Sequence, residues 1–441
     1  MPVVKERAWK ELEALTYERI SGAEGEKRAA EELKAICEEL GVQVEIEPFE
    51  IDHAEIHTAA LTVLGESGRE YTAYGINHSG CTPKEGITAP VQYIGDGDQD
   101  ADLLDIQGKI VLCTGMMLPK LIKKLKEKGA VGFINTHGGF YDDEVIANGP
   151  RVRNMLSREA NVEFPGVGIH LRDAEDLVKN HAGAEVCLKL DQTSGTGSSQ
   201  NVAATIPGTK YPEETIVISA HYDTVIHSKG SWDNGSGCVV LLELMRHFVE
   251  NPPERTLRFL WCGCEEIGLV GSRKYCEQHK DEMERVIYNV NIDMVGVTLG
   301  RVMFCCSGDE CVLHGLENLA KMKGFPIKSE LGTYSSDSTS FASAGVPASS
   351  FGQWSARGGA EIHNYRDTME HMDPESLIQA IQFILEYVSQ IVSAAVNPIP
   401  RTFAPKVQEA LEEGKKRMAE MTGKEPEKDD DKSEKKDEEK K

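Results

Sequence analysis

Long hydrophobic runs are missing from this 441-residue chain. No stretch approaches the roughly 18–20 consecutive apolar residues of a membrane-spanning helix. The opening MPVVKERAWKELEAL also lacks the unbroken apolar segment of a secretory signal. The expectation is a cytoplasmic protein with no membrane partner. A basic stripe is missing too: 48 Lys and Arg stand against 72 Asp and Glu, a formal charge of −24. Without clustered cations to displace counterions from phosphates, nucleic acid is not an expected partner. The acidic field mildly favours neutral or cationic substrates. The 11 cysteines are odd in number and irregularly spaced, which does not suggest a disulfide framework. Cys262, Cys264, Cys305 and Cys306 lie in apolar runs and read as buried, reduced thiols. Several catalytic signatures are absent as well: G-x-S-x-G, the phosphate loop G-x-x-x-x-G-K-[ST] and H-E-x-x-H. The glycines of SWDNGSG lack dinucleotide-binding spacing, and glutamates beside Cys264 would raise rather than lower its pKa.

What is present is an ordinary globular composition, 40% hydrophobic with a mean hydropathy of −0.36. Residues 1–42 carry apolar positions at helical spacing (Leu12, Leu15, Leu33, Ile36, Leu40), stopped by Gly41, and 42–51 alternate as a strand does. Between about 59 and 195 short strands are separated by Gly, Asp and Pro turns, with one basic helix, LPKLIKKLKEKGA, between GKIVLCTG and VGFINT. That order predicts a crossover unit in a small β-rich domain. From 200 to about 396, nearly continuous apolar strands alternate with helices. This predicts an α/β domain in which a mainly parallel, mixed sheet is sandwiched by helices. The expected partition is a main domain of 1–58 and 196–398, an insert of 59–195, and a charged C-terminal tail of 399–441. From Arg401 onward 12 Lys and Arg nearly balance 13 Asp and Glu. A short amphipathic helix is expected over FAPKVQEALEEGKKRMAEM, and disorder in the low-complexity end.

In such sheets reactive groups collect at the carboxyl ends of strands. Acids and histidines follow successive apolar strands here: His221 and Asp223 after VISA, Asp233 in SWDNGSG, Glu265 and Glu266 after RFLWCGC, Asp293 after NVNI, and His363 in ARGGAEIHN. A lone strand-end Asp is usually a cap or a turn residue. A run of such groups on successive strands is a candidate site, because the fold brings the positions together. Two imidazoles with several carboxylates suit a pair of divalent ions that clamp a water. A carboxylate outside the ligand set then serves as general base. Asp223, two residues after His221, is the candidate to orient that imidazole.

HYDTV, WDNGSG, CEEIGLVGS, NIDMVG and IHNYRDT resemble, in order, the five metal-site motifs of the M28-type zinc aminopeptidases. The resemblance spans about 200–395. GKIVLCTG, KGAVGFINT and FPGVGI within 59–195 resemble a protease-associated (PA) domain. The resemblance implies the zinc exopeptidase fold with an inserted PA-like domain, a peptide substrate and two zinc ions, with Co²⁺ or Mn²⁺ as possible substitutes. By position, His221 and Asp293 would hold one zinc, Glu266 and His363 the other, and Asp233 would bridge them. Glu265 would be the general base, and the peptide bond Asp233–Asn234 would be cis. Many relatives have a tyrosine just before the last histidine, where Ile362 stands here. Tyr334 in GTYSSDSTSF is the candidate oxyanion donor instead. Asn364 stands where Thr is usual, although Asp367–Thr368 matches. The first alternative is a carboxypeptidase or dipeptidase using Arg357 or Arg366 for the substrate carboxylate. Glutaminyl cyclases on the same fold work with one zinc, and non-catalytic relatives have lost ligands.

Overall fold

The computed structural model describes residues 3–65, 68–147, 156–160, 162–357 and 359–422. The chain forms two compact units, the larger comprising 1–53, 143–154 and 196–411, the smaller built mainly of 54–142 and 155–195.

In the larger unit the main path of the sheet runs through the C-terminal part of β1 (Glu185–Ile206), β2 (Tyr211–His221), β3 (Arg255–Cys262), β4 (Val286–Ile292), β5 (Gly300–Ser307), β6 (Ile327–Leu331) and β7 (Ala348–Ser355), and the strand Gln43–Val63 pairs with β1 off that path. Their order is β6-β5-β7-β4-β2-β3-β1. The pairs β2–β3, β2–β4, β4–β7 and β5–β6 are parallel, whereas β5–β7 and β1–β3 are antiparallel. The sheet is therefore mixed and mainly parallel, as the continuous apolar strands predict. Ile216, Ile218 and Ala220 of β2 point into one core with Phe259, Trp261, Val290 and Ile292. Val217 and Leu260 point into the core on the opposite face. With apolar layers on both sides, the strand interiors carry neutral polar groups that hydrogen-bond to one another, such as Ser219, Asn289 and Asn291, and the acids and histidines of the candidate site lie at the strand ends or in the loops beyond them.

The first face is covered by α1 (Lys5–Ala14), α2 (Glu24–Glu39), α3 (Ser236–Glu250), α5 (Glu310–Lys323) and α7 (Pro374–Val392). The second is covered by α4 (Val270–Gln278), α6 (Ser338–Ser343) and the start of α8 (Pro405–Thr422).

The structure departs from the sequence reading in three places. Residues 1–42 form two helices rather than one run, because Arg19 turns inward between them. Its guanidinium is fully buried and donates to the carbonyls of Leu15, Tyr17, Tyr222, Lys229 and Gly230. One side chain thus ties the N-terminal helices to the end of β2 and to the loop before Asp233. Residues 399–411, read with the charged tail, pack onto the larger unit. Ile399 and Val407 are buried, Phe403 and Leu411 touch the second core, and Arg401 donates to the carbonyls of Met283, Glu284 and Val286. The amphipathic helix expected here is α8; the low-complexity end, 423–441, lies outside the described residues. The third departure is in the smaller unit. Its strands Ile87–Tyr93, Ile110–Cys113, Gly132–His137 and Gly166–His170 pair in parallel in that order. The expected helix spans Pro119–Glu127, and a second helix, Leu171–Asn180, packs in the core of the other face. This unit is a layered α/β arrangement with helices on both faces.

Arg19 generates a stability prediction. Replacing it with Met leaves the carbonyls of Tyr17, Tyr222 and Lys229 without the donor they have here, whereas Leu15 and Gly230 keep backbone donors, a cost of about 3–5 kcal/mol. The urea midpoint of Arg19→Met should fall accordingly. A midpoint within the error of the parent would show that water or backbone shifts satisfy those carbonyls.

Candidate metal centre

Three adjacent parallel strands, β3, β2 and β4, end at the same edge of the sheet. His221 is the last residue of β2, Glu265 and Glu266 follow β3 after a two-residue turn, and Asp293 directly follows β4. Asp233 precedes α3, and the Asp233–Asn234 peptide is cis. His363 lies in the loop between β7 and α7 with φ +63°. All but His363 are at most 7% exposed.

The side chains meet as two groups sharing one member: His221, Asp233 and Asp293, and Asp233, Glu266 and His363. His221 Nε2 lies 3.1 Å from Asp233 Oδ1 and 3.4 Å from Asp293 Oδ1. His363 Nε2 lies 3.0 Å from Asp233 Oδ2 and 3.2 Å from Glu266 Oε2. Each oxygen of Asp233 therefore serves one group. Zinc binds N and O ligands at about 2.0–2.2 Å, so neighbouring ligand atoms in a tetrahedron are about 3.3 Å apart. The observed spacings match that edge length. Asp293 Oδ1 is buried and accepts no hydrogen bond, as expected of an oxygen kept for a cation.

The electrostatics agree with the geometry. Burial would lower the pKa of His363, but hydrogen bonds to Asp233 and Glu266 raise it to about 10. Burial likewise opposes charge on His221, yet Asp223, Asp233 and Asp293 raise it well above its ordinary value. Burial pushes Asp233 up, but the two imidazoles hold it well below the usual carboxylate range. Burial is also the largest influence on Glu265, whose carboxyl is pushed far up with the help of Glu266 and Asp293. A cluster that draws protons onto imidazoles is one that demands positive charge. The donor set fits two divalent ions.

Backbone amides are held by a further layer of buried acids. Asp223 accepts from the amides of Glu265 (2.9 Å) and Glu266 (3.1 Å) and from Ser21 Oγ, while its Oδ1 is 3.5 Å from His221 Nδ1. It thus lies closer to the Glu-Glu turn than to the imidazole it was expected to orient. Asp367 accepts from the amides of Trp232 (2.8 Å) and Asp233 (3.1 Å), and burial pushes its carboxyl up to about 7. Asn234 holds Ile292 O, Gly237 N and Met294 N, joining α3 to the end of β4.

Glu26, in α2, was not singled out from the sequence. It accepts from Gly22 N, Cys264 N and Ser199 Oγ, and burial, then Asp223, pushes it up to about 8. Cys264 Sγ faces Glu26, 3.5 Å away, rather than a metal-ligand group. Asp337, also overlooked, is fully buried directly after the Ser335–Ser336 pair and is pushed up to about 6, chiefly by burial. Nothing in a single sequence separates such acids from surface ones: two of the three donors to Glu26, on Ser199 and Cys264, lie 173 and 238 residues away.

Tyr334 lies in the loop after β6, which is tied to β4 by Asn291 Nδ2 donating to Ser336 Oγ at 2.8 Å. Burial, Asp293, Asp233 and Glu265 together push its phenol far up, so it stays protonated beside the carboxylates. Arg366, expected as a possible substrate anchor, is already engaged: it donates to both oxygens of Glu361 and to Asp143. Arg357 is exposed on the wall of a cavity of about 350 Å³ that Trp232, Trp354 and Ile362 also line.

Residues 201–388 match the sequence profile of Peptidase family M28. The chain is 28% identical over 393 residues to aminopeptidase YwaD of Bacillus subtilis (strain 168), covering 86% of this chain and 82% of that protein. It is 24% identical over 407 residues to carboxypeptidase Q of Homo sapiens, covering 87% and 84%. A solved zinc aminopeptidase from Bacillus subtilis superposes with a TM-score of 0.75 at 27% identity, over 92% of this chain and 99% of that one.

Removing the Asp367 carboxylate leaves two amides beside Asp233 without an acceptor. Loss of such a support typically costs 10–100-fold in metal affinity. Asp367→Ala should therefore release zinc to a competing chelator at about 10–100-fold lower chelator activity, with an unchanged circular-dichroism spectrum. Unchanged affinity would mean that Asp233 is positioned without it.

Proposed function

We propose that this chain, whose residues 201–388 make it a member of peptidase family M28, is a two-zinc aminopeptidase that removes N-terminal residues from peptides. The carrying observation is the pair of three-ligand groups sharing Asp233, with Glu265 beside them and outside both. His221 and Asp293 would hold one ion, Glu266 and His363 the other, with Asp233 between. Zinc in those positions supplies a Lewis acid for the scissile carbonyl and lowers the pKa of water toward about 7.

The protein's own groups do the rest. Glu265, buried and short of cations, accepts the proton of the attacking water and returns it to the leaving nitrogen as the C–N bond breaks. Asp223 holds Glu265 and Glu266 in different orientations by gripping both backbone amides. The Tyr334 hydroxyl, protonated at any working pH, donates to the oxygen that gains charge on attack.

The amino end is favoured by charge. Asp223, Asp233, Glu265, Glu266 and Asp293, with Asp337 and Asp367 behind them, outnumber the imidazoles and suit a substrate ammonium. The carboxypeptidase reading needs a cation for a substrate carboxylate one residue from the scissile bond. Arg366 is committed to Glu361 and Asp143, which disfavours that reading; Arg357, beside Ile362 and Asn364 on the cavity wall, is exposed. The cavity beside Trp232 and Ile362 suits an apolar N-terminal side chain. We take the smaller unit as a PA-like insertion rather than a second catalytic unit. Among the described residues, neither group of potential metal ligands falls in it.

The test is one peptide with an N-terminal Leu, offered to zinc-loaded protein with both ends free, N-acetylated, or C-amidated, and read by mass spectrometry. Single N-terminal residues should be lost from the first and third forms and not from the acetylated one. Glu265→Gln should lower kcat by at least about 100-fold with zinc still bound. Cleavage blocked by amidation but not by acetylation would transfer the assignment to a carboxypeptidase.

A further inference from the structure

A second cavity, of about 270 Å³, lies on the far side of Trp354 and is lined by Arg301, Met303, Lys328, Glu330 and Trp354. We infer that it binds the C-terminal carboxylate of short peptide substrates, with Arg301 and Lys328 as the anchoring cations. This deepens the aminopeptidase reading and rests on it.

Register places these residues on one face of the sheet. Trp354 pairs with Arg301 and Gly352 with Met303 across β7 and β5; Met303 pairs with Lys328 across β5 and β6. Side chains at alternate positions share a face, so Gly352, Trp354, Arg301, Met303, Lys328 and Glu330 all project to the same side. The metal-centre end of the sheet adjoins that strip. A Cβ added at Gly352 would lie 3.0 Å from the Asp293 carbonyl, 3.5 Å from Met303 Cγ and 3.7 Å from the Tyr334 hydroxyl. Tyr334 also packs edge-on against Trp354, their ring centroids 6.2 Å apart. Trp354, which is 51% exposed, therefore forms a common wall between the apolar cavity and this one.

Charge makes the second cavity distinctive. In a chain with a net charge of −24, two cations line it against one acid. Among the described residues, neither Arg301 nor Lys328 enters a salt bridge or a side-chain hydrogen bond. Glu330 pairs with Cys305, two residues along the strand from Lys328, so both cations sit nearer than it to the metal-centre end of the sheet.

The spacing sets the peptide length. Strands lie about 4.8 Å apart, so Arg301 is on a strand about 10 Å from that of Asp293, and Lys328 on one about 14 Å away. Their long side chains reach back several ångström, and a peptide advances about 3.3–3.6 Å per residue. A carboxylate two or three residues beyond the scissile bond meets them, which corresponds to a tri- or tetrapeptide. A carboxylate directly after the scissile bond is too close to the metals to do so.

The experiment compares kcat/KM of the zinc-loaded protein for Leu-Gly-Gly, its C-terminal amide, and leucine p-nitroanilide, which has no carboxylate. The free acid should exceed the amide by about fivefold, mainly through KM, and the ratio should shrink with added salt. Arg301→Gln combined with Lys328→Gln should bring the ratio to about one and leave p-nitroanilide turnover unchanged. Glu330→Gln should raise the ratio. Equal rates for acid and amide in the parent, or a ratio that survives the double variant, would overturn the subsite while leaving the aminopeptidase intact. Failure to cleave all three compounds would overturn the aminopeptidase reading and the subsite with it.

Discussion

Five carboxylates and two imidazoles are packed at the end of one sheet, and the rest of the larger unit serves to make that crowding tolerable. Buried acids this close repel one another strongly unless positive charge is shared among them. Asp233 is the centre of the arrangement, because its two oxygens face two different imidazoles. Two cations on either side of Asp233 would convert mutual repulsion into a bridged array. The imidazoles, drawn toward protonation, partly fill that role between the protein groups alone.

Geometry this demanding cannot rest on side-chain rotamers. It is held at the backbone instead. Asp223 grips the Glu265–Glu266 turn, Asp367 grips the Trp232–Asp233 amides, and Glu26 reaches from α2 to Cys264 just before the glutamates. Arg19, itself fully buried, closes the far side by gathering carbonyls from the loop before Asp233. Each support is a buried ionisable side chain hydrogen-bonded to backbone groups of the loops that carry the ligands. The ligands at the strand ends thus inherit the rigidity of the apolar layers on both faces.

Residue type and order made the centre legible in advance. An acid or histidine directly after an apolar strand is conspicuous, since in such sheets reactive groups collect at the carboxyl ends of strands. His221, Asp233, Glu265, Glu266, Asp293 and His363 were all singled out on that ground, and the fold places them within one cluster. Glu26 and Asp337 were not, because nothing local marks an acid whose partners come from distant segments. The break at Arg19 was equally hidden: helical spacing continues through it, and only the carbonyls of Lys229 and Gly230, more than 200 residues on, explain why the chain turns.

By itself, then, the sequence determined the alternation of strands and helices, the two-sided burial of the central strands and the identity of the ligand-type residues. These follow from side-chain period and apolar content, which are local properties. Tertiary structure alone decided which oxygen of Asp233 faces which imidazole, that Asp223 holds the glutamate turn more closely than it holds His221, and that Arg366 is occupied by Glu361 and Asp143. It also decided that Arg301, Lys328 and Trp354 share one face beside Asp293. Such relations depend on strand register and on contacts across hundreds of residues, and no local pattern encodes them.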